Sequence, residues 1–160
     1  MSTPTEHRKP RRLTDFSYQG QYRYFITIRT HSLRHYFSKR EVVTMMIQIL
    51  KNTAEQENFG IWAYCFMPDH VHLLIEGKKA NADMRRFVAL FKQRSGYRFS
   101  RIYGDKLWYQ NYYEHVLQDN QAIIPIARYI FRNPIRKGIV EDYSLYPYSG
   151  SFELENINEL

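Results

Sequence analysis

His70-Val71-His72 sets two imidazoles one strand-step apart. Side chains alternate across a β-strand, so both rings leave one face while Val71 leaves the other, with Leu73 and Ile75. Two such imidazoles can share one divalent cation, and a cation held there polarises a phosphoryl oxygen. Two histidines on a half-exposed strand that bind nothing fit the same pattern. A second group with chemistry lies further along. Tyr129 and Asn133 are four residues apart, hence on one helical face, with Arg132 and Arg136 near it. A tyrosine can act as a covalent nucleophile, but its ordinary pKa of about 10 means that it needs a nearby cation. An amide oxygen suits a hard cation. The alternative is a surface tyrosine beside an asparagine that ends a helix before Pro134.

The chain around these residues is basic. Its 23 Lys and Arg stand against 16 Asp and Glu. Residues 139–160 hold five acids and no base, so the excess lies in residues 1–138. Such a field favours a polyanionic partner. Fourteen tyrosines add rings on which bases could stack, although rings also fill cores. The single cysteine, Cys65, excludes an intrachain disulfide and a cysteine-cluster zinc site, and it reads as a buried strand residue. No apolar run approaches the ~18–20 residues of a membrane span, and no signal-like segment opens the chain. A cytoplasmic protein with no membrane partner is the expectation.

The elements that must position the site follow from periodicity. Tyr22–Thr30 alternates as a first strand. Ser38-Lys39-Arg40-Glu41 has the form of a capping box ahead of a helix that should end near Asn58. Ile61–Phe66 and His70–Glu76 make an antiparallel hairpin. Asn81 is the expected cap of a second helix with Met84, Phe87, Val88 and Phe91 on its apolar stripe. Seven basic residues and one acid fall between Arg85 and Lys106. Among them Arg85, Arg86, Lys92, Arg94 and Arg98 could line a DNA groove or be plain solvated surface. Tyr112–Leu117 is a fourth strand, and Asn120–Asn133 a last helix closed by Pro134. The order is β-α-β-β-α-β plus a helix. This is a ferredoxin-like, split-βαβ α+β fold, its antiparallel sheet covered by helices on one face and open on the other. Residues 1–14 read as a basic flexible tail, 15–148 as the domain and 149–160 as an acidic tail; the acidic end as a whole, residues 139–160, could cover the active site by mimicking DNA charge.

The strings MPDHVHLLIE, WYQNYYEHVLQD and IARYIFRNPIRKGIV together resemble the HUH single-tyrosine transposases, in particular the REP-associated tyrosine transposases. The resemblance spans about residues 22–148. It implies His70 and His72 as ligands of Mg²⁺ or Mn²⁺, Asn133 as a further ligand and Tyr129 as the nucleophile. Many mobile-element members carry Gln where this chain has the shorter Asn133. His115, with Glu114 beside it, occupies a motif position from which it could support the metal. The implied reaction is cleavage and joining of single-stranded DNA, on hairpin-bearing repeats, through a 5′-phosphotyrosine. The implied protein is a monomer or a homodimer. Two other classes fit parts of the pattern: a binding module without chemistry, and a metal-dependent phosphodiesterase that uses water.

Overall fold

The computed structural model describes residues 16–118, 122–157 and 160; the basic arm lies outside them. Strand β1 (Arg23–Thr30), helix α1 (Arg40–Glu57), strands β2 (Phe59–Met67) and β3 (His70–Gly77), helix α2 (Met84–Tyr103) and strand β4 (Trp108–Val116) follow the expected order. Helix α3 (Ile123–Phe131), the short α4 (Asn133–Arg136) and a two-residue strand β5 (Ser149–Gly150) come after them. The sheet runs β4-β1-β3-β2-β5, antiparallel throughout. Its first four strands have the ferredoxin-like order, with β3 central.

Both long helices bury their stripes on one sheet face. Val42, Met46, Ile49 and Leu50 from α1 join Met84, Phe87, Val88 and Phe91 from α2 over Ile26, Ile28, Val71, Leu73 and Ile75. Both helices start differently from the sequence expectation. Ser38 ends a 3₁₀ turn in which Phe37 is buried and its N–H donates to Pro68 O at 3.0 Å. That anchor fixes the backbone upstream, so Lys39 takes the cap position, no side chain caps α1 and the capping box does not form. At α2 the cap is Asp83, not Asn81, its carboxylate accepting from Arg86 N at 3.1 Å. Left-handed residues end both helices: α1 at Asn58 (φ 62°), as expected, and α2 at Gly104 (φ 74°).

The second sheet face is not open. Ala63, Cys65 and Met67 of β2 and Leu74 of β3 are buried beneath Ile123, Ala127, Ile130 and Phe131 of α3. β2 is apolar on both sides, as a strand sandwiched between layers must be. Residues 149–157 do not trail away as a tail. Ser149 and Gly150 pair with Cys65 and Tyr64, Phe152 N donates to Ile61 O at 3.0 Å, and Leu154 and Ile157 pack against the apolar layer that α3 shares with the sheet. A Cβ on residue 150 would come within 2.5 Å of the Tyr64 hydroxyl, which is why glycine serves there.

Docking of α3 therefore rests on apolar burial. Ile130 is fully buried in that layer, so Ile130→Ala should lower the unfolding free energy by about 2–5 kcal/mol in urea titrations. A loss below about 1 kcal/mol would contradict this docking.

Candidate active site

The hairpin of β2 and β3 presents His70 and His72 on the α3 side, while Val71, Leu73 and Ile75 are buried on the other. β3 is hydrogen-bonded along both flanks, with Thr27 and Cys65 opposite His72, and Arg29 and Met67 opposite His70. The two rings meet edge to face, with centroids 4.7 Å apart and their Nε2 atoms 3.1 Å apart. Each Nδ1 is engaged elsewhere. His70 Nδ1 lies 2.6 Å from Asp69 Oδ1, and His72 Nδ1 lies 2.9 Å from Thr27 Oγ1. Phe25 stacks on the His72 ring at 5.5 Å. Burial pushes His72 down to about 3, helped by the charges of His70, Arg136 and Lys137. His72 is thus neutral at physiological pH, the form that ligates metals.

The expected last helix is broken. Arg132 leaves the helical repeat at ψ −3°, and α4 restarts with Asn133, carrying Pro134 in its first turn, where a missing N–H costs nothing. From α4, Arg136 reaches back to Tyr129. Its Nη2 donates to Tyr129 O at 2.7 Å and its Cζ sits 3.9 Å above the ring. Tyr129 is 56% exposed and meets Phe25 edge-on. Asn133 is buried; its Oδ1 accepts from Arg136 at 3.4 Å and its Nδ2 has no hydrogen-bond partner.

Tyr129, Asn133 and Lys137 line one side of a cleft of about 640 Å³, and Thr27, His70 and His72 line another. Residues 59 positions apart in sequence thus share one cavity. A metal fits this donor set in part. Two imidazole nitrogens converge, and a buried amide lacking one partner stands in the same cleft. No group of three or more His, Cys, Asp or Glu side chains suited to a metal exists among the described residues, so Asn133 or solvent must complete the set.

Other expected residues fall elsewhere. Glu114 pairs with Ile26 on the α1/α2 side and accepts from Tyr18 Oη at 2.7 Å, so it cannot support the histidines. His115 is on the correct face but sits opposite Phe25 on edge strand β4, outside the cleft lining. The α2 bases lie across the sheet. Arg86 pairs with Glu57 at 3.0 Å, and Arg85 covers the Tyr18 ring. Arg94 reaches Thr53, and Lys92 donates to Tyr109 O and Gln110 O. Arg98 and Arg132 are exposed. None of the described residues after Ile139 lines the cleft, so the described part of the acidic segment does not cover it. Cys65 is buried behind the histidines, its thiol pushed up to about 12 by burial, and cannot act as a nucleophile near neutrality. Thr27, Asp69 and Lys137 were not singled out from sequence. Asp69 could have been, since it adjoins His70; Thr27 depends on a strand register 45 residues long.

A ferredoxin-like sheet with paired histidines and a helix-borne tyrosine in one cleft defines a class that comparison makes specific. The family described as "Transposase IS200 like" matches residues 18–133, and the chain belongs to that family of DNA-processing enzymes. It is 26% identical over 151 residues to a Haemophilus influenzae protein named as a REP-associated tyrosine transposase, covering 84% of this chain and 81% of that one. A second, uncharacterised protein of that organism is 26% identical over 163 residues, covering 81% and 89%. Among solved structures, a REP-associated tyrosine transposase bound to a REP hairpin superposes with a TM-score of 0.71 at 19% identity, covering 87% of this chain and 81% of that one. A protein of Deinococcus radiodurans named as a transposase gives 0.52 at 24% identity, covering 75% and 95%. Both likenesses carry the fold.

The His72 environment sets a pH dependence. The folded chain resists protonating this ring and the unfolded chain does not, so acid favours unfolding. The contribution is intact above the ordinary value of 6.5 and is lost progressively as pH falls towards 3, at up to about 1.4 kcal/mol per pH unit. In EDTA, wild-type stability should therefore fall about 1 kcal/mol more than that of His72→Gln between pH 6.5 and about pH 5. Parallel pH profiles of the two proteins would exclude a buried neutral His72.

Proposed function

We propose that this chain cuts and rejoins single-stranded DNA at hairpin-bearing repeats, with Tyr129 as the nucleophile. The observation that carries the reading is the shared cleft. The two Nε2 atoms 3.1 Å apart and the exposed Tyr129 line the same cavity on the same chain. Since α3 packs on its own sheet, one chain supplies both halves of the site, which favours a monomer as the working unit. The solved relative bound to a REP hairpin supports DNA hairpins as the substrate.

His70, His72 and Asn133 would hold Mg²⁺ or Mn²⁺, which when bound supplies a positive charge that neutralises and orients the scissile phosphate. The chain's own residues do the rest. Tyr129 Oη forms a bond to phosphorus as the bond from phosphorus to the 3′ oxygen breaks. The phenol proton leaves to solvent and the departing 3′ oxygen takes one up. The product is a 5′-phosphotyrosine and a free 3′-OH. A second strand's 3′-OH reverses the step, forming the new P–O bond as the tyrosine leaves, so strands join without an external energy source. Arg136 fixes the backbone and ring face of Tyr129 and brings positive charge to the path of the DNA, as does Lys137 on the cleft wall.

Denaturing electrophoresis of the protein with labelled hairpin oligonucleotides and Mn²⁺ tests this. A covalent adduct should form with wild type and vanish with Tyr129→Phe. It should drop at least about 100-fold with His70→Ala or with EDTA, a first ligand costing no less than its outer partners do. Cleavage that survives Tyr129→Phe without an adduct would point instead to a phosphodiesterase using water. Tight binding with no cleavage of any hairpin in a broad library would point to a binding module.

A further inference from the structure

The partners of the two histidines allow one arrangement of protons while both rings are neutral. Asp69 is a carboxylate and only accepts, so His70 carries its proton on Nδ1 and a bare lone pair on Nε2. The 3.1 Å Nε2···Nε2 contact then needs a proton from the other ring, which puts the His72 proton on Nε2. His72 Nδ1 is left as an acceptor, and the Thr27 hydroxyl donates to it across 2.9 Å. The result is a relay in which Thr27 donates to His72, His72 to His70 and His70 to Asp69.

This relay cannot hold a cation, because a cation needs lone pairs on both Nε2 atoms. His70 already meets that demand. His72 meets it only by moving its proton to Nδ1, where the atom in reach is Thr27 Oγ1. A hydroxyl both donates and accepts, so one residue can serve either tautomer by turning its O–H, here towards the cleft it lines. A carboxylate in its place would accept only and lock the metal-ready tautomer. A hydrocarbon would strand Nδ1–H without an acceptor in a partly buried site.

We propose that Thr27 is a positioning residue whose hydroxyl lets His72 exchange tautomers, so that the histidine pair closes on itself when empty and opens to a divalent cation without a change of net charge. The inference rests on the reading of His70 and His72 as metal ligands. It assigns Asp69 the complementary part of holding His70 in one tautomer throughout.

Two-bond ¹H–¹⁵N correlation spectra of the imidazoles, recorded at about pH 8, test it directly. Without metal, His70 should carry its proton on Nδ1 and His72 on Nε2. At saturating Mg²⁺, His72 should switch to Nδ1 and His70 should not. In calorimetric titrations with Mn²⁺, Thr27→Val should bind about 10–100-fold more weakly than wild type and Thr27→Ser should recover most of the loss. His72 found on Nδ1 without metal, or Thr27→Val binding Mn²⁺ like wild type, overturns the role of Thr27 and leaves the metal reading standing. Relay tautomers in a wild type that binds neither ion overturn the metal reading itself, and the exchange with it.

Discussion

Two imidazole nitrogens face each other across 3.1 Å on a strand that is hydrogen-bonded along both flanks. Holding them there is the constraint on which the site depends. A strand alternates, so the pair can share a face only if Val71 is buried on the other, and the α1/α2 layer supplies that burial. The outward nitrogens need partners, and Asp69 and Thr27 supply them. Burial keeps His72 neutral, which preserves the lone pair that a ligand requires.

The second requirement is to bring Tyr129, the proposed nucleophile, to that pair. Helix α3 does so because the sheet's far side is apolar along β2 and because the segment after residue 148 pairs with the β2 edge and packs against the apolar layer that the helix shares with the sheet. Arg136 reaches back from α4 over Tyr129. An exposed phenol, a buried amide and two cations come from a stretch of nine residues, and the fold aims them at a strand far away in sequence.

Much of this was readable before any coordinates. The alternation of side chains along His70–Glu76 put both histidines on one face, and the four-residue step from Tyr129 to Asn133 put those two on one helical face. What was misread has physical causes. The apolar stripe of α3 says that the helix is buried but not against which face. The run from Phe59 to Met67, apolar on both sides, was the sign that the second face is covered. The capping box failed because a tertiary anchor at Phe37 overrode a local preference. The sequence left the α2 bases open between a groove and solvated surface because their partners, Glu57 and Thr53 among them, lie on another helix. Glu114 was grouped with its neighbour His115, although adjacent strand residues point to opposite faces. Thr27 was invisible because its meeting with His72 is a matter of register.

The central claim is that one chain builds a divalent-cation site from the facing histidine nitrogens and sets its own tyrosine beside it. Anomalous diffraction from crystals soaked in Mn²⁺ tests it most directly. The account expects one strong peak bonded to Nε2 of both His70 and His72, with Tyr129 of the same chain facing it. A peak held by other residues, no peak at saturating Mn²⁺, or a site completed by another chain's tyrosine would contradict it.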